Sequence, residues 1–156
     1  MRIEPTSITG KENQEVLAQP LRALSQFYAA FNGSDLPKMA ENWAQTEEIS
    51  MDNPLGGIKR GWEEIKAVYK TIFTGPAQVT VEFHDYTVHE SHDIFYAEGR
   101  ERGEFRSGET VVPLKIRTTR IFRRLDGSWR QVHHHGSIDE PELLARYQKA
   151  VKAAQE

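Results

Sequence analysis

The large apolar residues of this chain change their spacing once. Up to about residue 74 they fall at steps of three and four, and from residue 78 they alternate with polar ones. Steps of three and four line one face of a helix, and a step of two lines one face of a strand. The chain is therefore a group of helices followed by a run of strands. That order predicts an α+β fold, in which helices cover one face of an antiparallel sheet.

The first helical stripe runs over 12–32 through Val16, Leu17, Leu21, Leu24, Tyr28 and Phe31, with Phe27 beside it. Pro20 interrupts it, so the helix either kinks there or starts there. Gly33 is a suitable stop, and Asp35 is a suitable N-cap for a short helix reaching about Trp43. Residues 48–54 read as a strand ending in a Pro-Leu-Gly-Gly turn. A third helix follows Gly61, with Glu63 and Glu64 in its first turn and Ile65, Val68, Tyr69, Ile72 and Phe73 on one face. Alternation then predicts strands over 78–90, 92–106, 109–125 and 128–138. Turn signals at Ser107-Gly108 and Asp126-Gly127 make the last three strands an antiparallel meander. A final helix is expected over 139–156, and 1–12 reads as a flexible arm.

All 156 residues form a domain of ordinary size, with one core as the expectation. The net charge of −3 argues against a nucleic-acid partner, although 100–130 is locally basic. No apolar run is long enough to span a bilayer, so no membrane association is expected. The absence of cysteine excludes disulfides and thiolate metal sites. With no apolar segment after Arg2, the N-terminus does not read as a signal peptide, and the expected location is cytoplasmic.

Three stretches, 31-FNGSD-35, 53-NPLGGIKRG-61 and 119-TRIFRRLDGSWRQVHHHGS-137, resemble the nuclear transport factor two-like or SnoaL-like superfamily over about residues 20–138. The last stretch is similar to the association (hub) domain of calcium/calmodulin-dependent kinase II and its stand-alone bacterial relatives. It carries the Thr119-Arg120 pair, the Asp126-Gly127 turn, Trp129, and Val132-His133 with His135 and Ser137. The resemblance implies a cystatin-like α+β cone: a strongly curved antiparallel sheet wrapped around the N-terminal helices, with an extra C-terminal helix. It leaves function open, since the fold hosts isomerases, dehydratases, cyclases and non-enzymatic modules.

Compared with the ketosteroid isomerases of that superfamily, Asn53 stands where the catalytic aspartate is expected. Phe27 stands at the tyrosine position, with Tyr28 one step away, and the later acid falls near Thr118 or Thr119. An amide cannot abstract a proton, so isomerase chemistry of that type is not expected. Asp52 remains a displaced candidate base, against its reading as a turn-capping carboxylate. Regular alternation puts His133 and His135 on one face with Trp129 and Gln131, which would turn them to the pocket, and His134 on the other. His133 is thereby a second candidate base. A pair at i and i+2 lacks a third ligand of evident spacing, Glu98, His84 and His92 being possibilities only, so no metal and no cofactor are expected.

The hub domains bind a carboxylate between arginines of neighbouring strands, and the resemblance places Arg100 and Arg120 there. Their counter-anion is a ligand carboxylate or Glu98. Ile65 replaces a histidine of the hub pocket, so the ligand is not carried over. Tyr28, Trp43, Trp62 and Tyr69 would make the apolar walls, and Arg100, Arg120, Asn53, His133 and His135 the convergent polar groups. The expectation is a small-molecule-binding domain for a partly apolar carboxylate, forming a homodimer or larger homo-oligomer. A cofactor-independent isomerase, dehydratase or cyclase and a hub-like assembly module are the alternatives.

Overall fold

Pro20 decides where the first helix begins. In the computed structural model, which describes residues 2–156, α1 spans Leu21–Asn32 and buries Leu24, Phe27 and Tyr28, with the Gly33 N–H closing its last turn on the Ala29 carbonyl. The Asp35 carboxylate accepts a hydrogen bond from the Lys38 N–H at 3.0 Å and starts α2, Leu36–Asn42. α3, Gly61–Thr74, carries Glu63 and Glu64 in its first turn, where the helix dipole favours them, and buries Trp62, Ile65 and Tyr69. α4 spans Pro141–Ala154.

The strands are β1 Ser50–Asp52, β2 Lys59–Arg60, β3 Gln78–Glu90, β4 Ile94–Ser107, β5 Thr110–Leu125 and β6 Ser128–Ser137. They form one curved open sheet in the order β2-β1-β6-β5-β4-β3. The expected strand over 48–54 contracts to three residues. It pairs parallel to β6, placing Ser50 opposite His133, Met51 opposite His134 and Asp52 opposite His135. Asp126 and Gly127 both take positive φ, 52° and 82°, as a two-residue hairpin turn matched to the sheet twist requires.

Two one-residue bulges set which side chains face the helices. In β3 the register shifts between His84 and Thr87, where Asp85 has φ 52°, and the shift keeps Val81, Phe83 and Tyr86 on the buried face. In β6, Ile121 pairs with His133 while Phe122 pairs with Gln131, so Val132 is the extra residue. Beyond it every side chain changes face. Gly103 lets β4 bend against β3: a Cβ there would lie 1.8 Å from the Thr80 carbonyl oxygen.

The expectation of a flexible arm over 1–12 is corrected from residue 4 onward. The Glu4 N–H donates to Tyr86, Ile8 and Phe83 exchange both backbone hydrogen bonds, and Ile8 is buried. The Glu12 carboxylate then accepts from the Thr9 and Gly10 N–H groups and the Ser25 hydroxyl. Burial works against the Glu12 charge, but these donors outweigh it and hold its pKa below the usual carboxylate value. Among the described residues no helix is long and apolar enough to cross a membrane.

Candidate functional site

Between the concave face of the sheet, α1, α3 and α4 lies a cavity of about 530 Å³. Most of its wall is apolar. Phe27 and Phe31 come from α1, Val68 and Tyr69 from α3, and Leu114 and Ile116 from β5. α4 closes one side with Tyr147, which packs edge-on against Phe105 at 5.8 Å between ring centroids. Asn53 sits on the wall in the turn after β1, where its side chain accepts from the Leu55 N–H.

The polar end is built around Arg120. Even-numbered residues of β5, from Val112 to Phe122, face inward, so alternation carries Arg120 into the interior at 3% exposure. On β4 the inward residues are odd-numbered: Phe95, Ala97, Glu101 and Phe105. The guanidinium Nη2 therefore donates to Glu101 Oε2 at 2.8 Å. Nη1 donates to Gln131 Oε1 at 2.9 Å, and Nε donates to the Tyr28 hydroxyl at 3.3 Å. Tyr28 passes its own proton donation on to Glu101 at 2.7 Å. The Phe27 ring covers one guanidinium face at 3.5 Å. Burial opposes the charge on Arg120, but Tyr28, Glu101 and Tyr69 around it more than offset this and raise its pKa, so it stays protonated. Three of the five guanidinium N–H groups are thus engaged at normal geometry, and the other two, with the Tyr69 hydroxyl nearby, make no such bond.

His134 completes this end. The Val132 bulge turns it inward, where it is 5% exposed and lines the cavity. Burial, with Arg120 nearby, pushes its pKa well below 6.5, so the ring is neutral. Its Nδ1 lies 3.3 Å from the Thr119 carbonyl oxygen, which can only accept. The proton is therefore on Nδ1, and Nε2 carries a lone pair. Burial also pushes the Tyr69 hydroxyl up to about 12, Arg120 partly opposing the rise, so it remains an uncharged donor. The Trp43 indole N–H, near enough to Tyr69 to oppose that rise as well, is buried and makes no hydrogen bond of normal geometry.

Of the residues expected at the pocket, Arg120, Asn53 and Tyr69 line the cavity, and Tyr28 stands behind Arg120 as its partner. Trp43 and Trp62 are core residues outside the wall. Five placements are corrected. Arg100 and Glu98 have the even parity of the outer face of β4, where Arg100 meets Asp139 at 3.5 Å and Glu98 accepts from Thr87. His133 and His135 face outward because of the bulge, next to Ser50 and Asp52. Asp52 is there a hydrogen-bond partner of His135 at 3.1 Å and does not line the cavity.

Glu101, His134, Tyr147 and Gln131 are the residues of this candidate site that sequence reasoning missed. A signal for Glu101 exists, because it shares parity with Phe95, Ala97 and Phe105. For His134 there is none, since nothing in Gln131-Val132-His133 marks the bulge.

The family model of the SnoaL-like domain matches residues 21–140. Among solved structures, the chain is similar to a protein of Streptomyces avermitilis described as a candidate dehydratase of the NTF2-like family. The two are 21% identical over 74% of this chain and 89% of that one, with a TM-score of 0.64. A protein of Thiobacillus denitrificans described as a candidate calcium/calmodulin-dependent protein kinase type II association domain is 25% identical over 78% and 96%, with a TM-score of 0.60. A ketosteroid isomerase-like protein of Erwinia carotovora atroseptica is 21% identical over 76% and 92%, with a TM-score of 0.62. No curated protein matches the chain.

Proposed function

Since the chain belongs to the SnoaL-like domain family, we propose that it binds a small, largely apolar molecule in the cone, with one neutral hydrogen-bond acceptor held by Arg120. The observation that carries this reading is a buried guanidinium with two N–H groups to spare at the end of an apolar cavity. Cavities of a few hundred cubic ångströms with a few convergent polar groups suit small ligands.

A carboxylate was the sequence expectation, and it rested on two guanidiniums. With Arg100 outside, Arg120 is the one arginine on the wall among the described residues, and Glu101 already neutralises it. A ligand carboxylate would meet Glu101 across a low-dielectric space, whereas a ketone, ester or amide oxygen takes the spare N–H groups without adding charge. Homodimerisation through the outer sheet face, where Tyr96 is exposed and Ile121 half-buried, is part of the same proposal.

A cofactor-independent isomerase or dehydratase is the second reading. The neutral His134 ring favours it, as an uncharged base beside a cationic donor. Asp52 no longer serves as the base in that reading.

The test is a thermal-melt screen of matched ring ketones, amides and carboxylates, with the cavity-filling variant Ile116→Trp alongside. A ligand at 100 times its dissociation constant stabilises the fold by about 2.7 kcal/mol, a shift of several degrees. Shifts from neutral compounds that vanish in Ile116→Trp are expected. Shifts confined to carboxylates would sink the neutral-acceptor reading, and silence from every compound would favour the assembly module.

A further inference from the structure

The outer face of the sheet carries a second cluster that the cavity does not use. Because β1 runs parallel to β6 with Ser50 opposite His133 and Asp52 opposite His135, these four side chains leave the sheet on the same side. One ligand atom each from Asp52, His133 and His135 lies within 4.8 Å of the other two.

We infer that Asp52, His133 and His135 form a binding site for a divalent transition-metal ion, of which zinc is the representative. Two imidazoles and one carboxylate make a donor set that suits zinc and its first-row neighbours, whereas magnesium and calcium prefer all-oxygen shells. Donors about 2.0–2.2 Å from one ion sit roughly 3–3.5 Å from one another. His135 Nδ1 and Asp52 Oδ2 are already 3.1 Å apart. The third donor, from His133, lies within 4.8 Å of both, and a side-chain rotation on an open face closes the remaining gap.

Its orientation is prepared. The Ser50 hydroxyl lies 2.8 Å from His133 Nδ1, which leaves Nε2 for the ion, and such a partner on the far ring nitrogen is the usual support of a metal-bound imidazole. Asp52 supplies the negative charge from a side chain that is 25% exposed. The three donors approach from the sheet and leave the solvent side open. Beside His135 that side meets a shallow groove lined by Arg100, Arg117, Thr119 and Ser137, so water or a small anion completes the shell. The site faces away from the cavity and does not depend on what the cavity binds. Regular alternation would have left the two histidines on the opposite face from Asp52, and the Val132 bulge brings the three together.

The experiment uses the full chain without an affinity tag, stripped with a chelator. Zinc is titrated by calorimetry, and cobalt(II) by its visible absorption, which reports nitrogen and oxygen ligation directly. One ion per chain is expected, with cobalt bands that zinc displaces and excess magnesium does not. Asp52→Asn and His135→Ala abolish the bands, Ser50→Ala weakens zinc binding roughly tenfold or more, and His84→Ala, on β3, changes nothing. Circular dichroism of each metal-free variant establishes that it is folded. No cobalt spectrum in the wild-type chain overturns the site, and so does binding that persists unchanged in folded His133→Ala/His135→Ala.

Discussion

Arg120 and Glu101 meet at 2.8 Å with side chains only 3% and 5% exposed, held from β5 and β4 on the inner face of the sheet. Each is the other's counter-charge in a space with little water. Removing one partner leaves a buried, unpaired ion, which typically costs about 3–5 kcal/mol. Glu101→Leu and Arg120→Met are each expected to lower unfolding free energy by that amount in urea titrations. The double variant should lose clearly less than the sum of the two, because no charge is then stranded. Additive losses would mean that the pair is not coupled.

The neutral His134 predicts a pH dependence. Its folded pKa lies below the unfolded value of 6.5, so below pH 6.5 the unfolded chain takes up a proton that the folded chain refuses. Stability is therefore complete above pH 6.5 and falls on acidification, approaching about 1.4 kcal/mol per pH unit until the folded pKa is reached. Urea titrations at pH 7.5, 6.5 and 5.5, run in chelator, should show this fall in the wild-type chain. In His134→Gln it should be shallower by up to one proton's worth.

Gly103 is required by contact distance. With a Cβ 1.8 Å from the Thr80 carbonyl oxygen, Gly103→Ala must push β3 and β4 apart. A loss of about 1–3 kcal/mol is expected, as for overpacking elsewhere. Gly108→Ala, where a Cβ meets nothing within 4 Å but φ is +58°, tests conformation without the clash and should cost less. Equal losses would argue against close approach as the cause.

The Asp35 cap is a local prediction. Its side chain satisfies the Lys38 N–H at the start of α2, and Asp35→Ala should cost about 1 kcal/mol. Asp35→Asn, which keeps the acceptor, should cost little. Chemical denaturation of both variants separates the hydrogen bond from the charge.

The sequence by itself determined the element order, because the spacing of apolar residues is a local property. Leu24, Phe27 and Tyr28 specify a helical face, and Val112, Leu114, Ile116 and Phe122 specify the inner face of β5, whose parity Arg120 shares. The superfamily was legible from the same elements and the motifs between them. Parity on β4 was legible too: Phe95 and Phe105 share it with Glu101, although the hub resemblance pointed to Arg100. The tertiary structure alone decided the faces of the three histidines. A bulge is an agreement between two strands about register, and nothing in β6 records that Val132 is skipped when Ile121 pairs with His133 and Phe122 with Gln131. That one unpaired residue sends His134 to the cavity and His133 and His135 to Asp52. Strand periodicity fixes faces only between register shifts, and where the register shifts depends on the neighbouring strand.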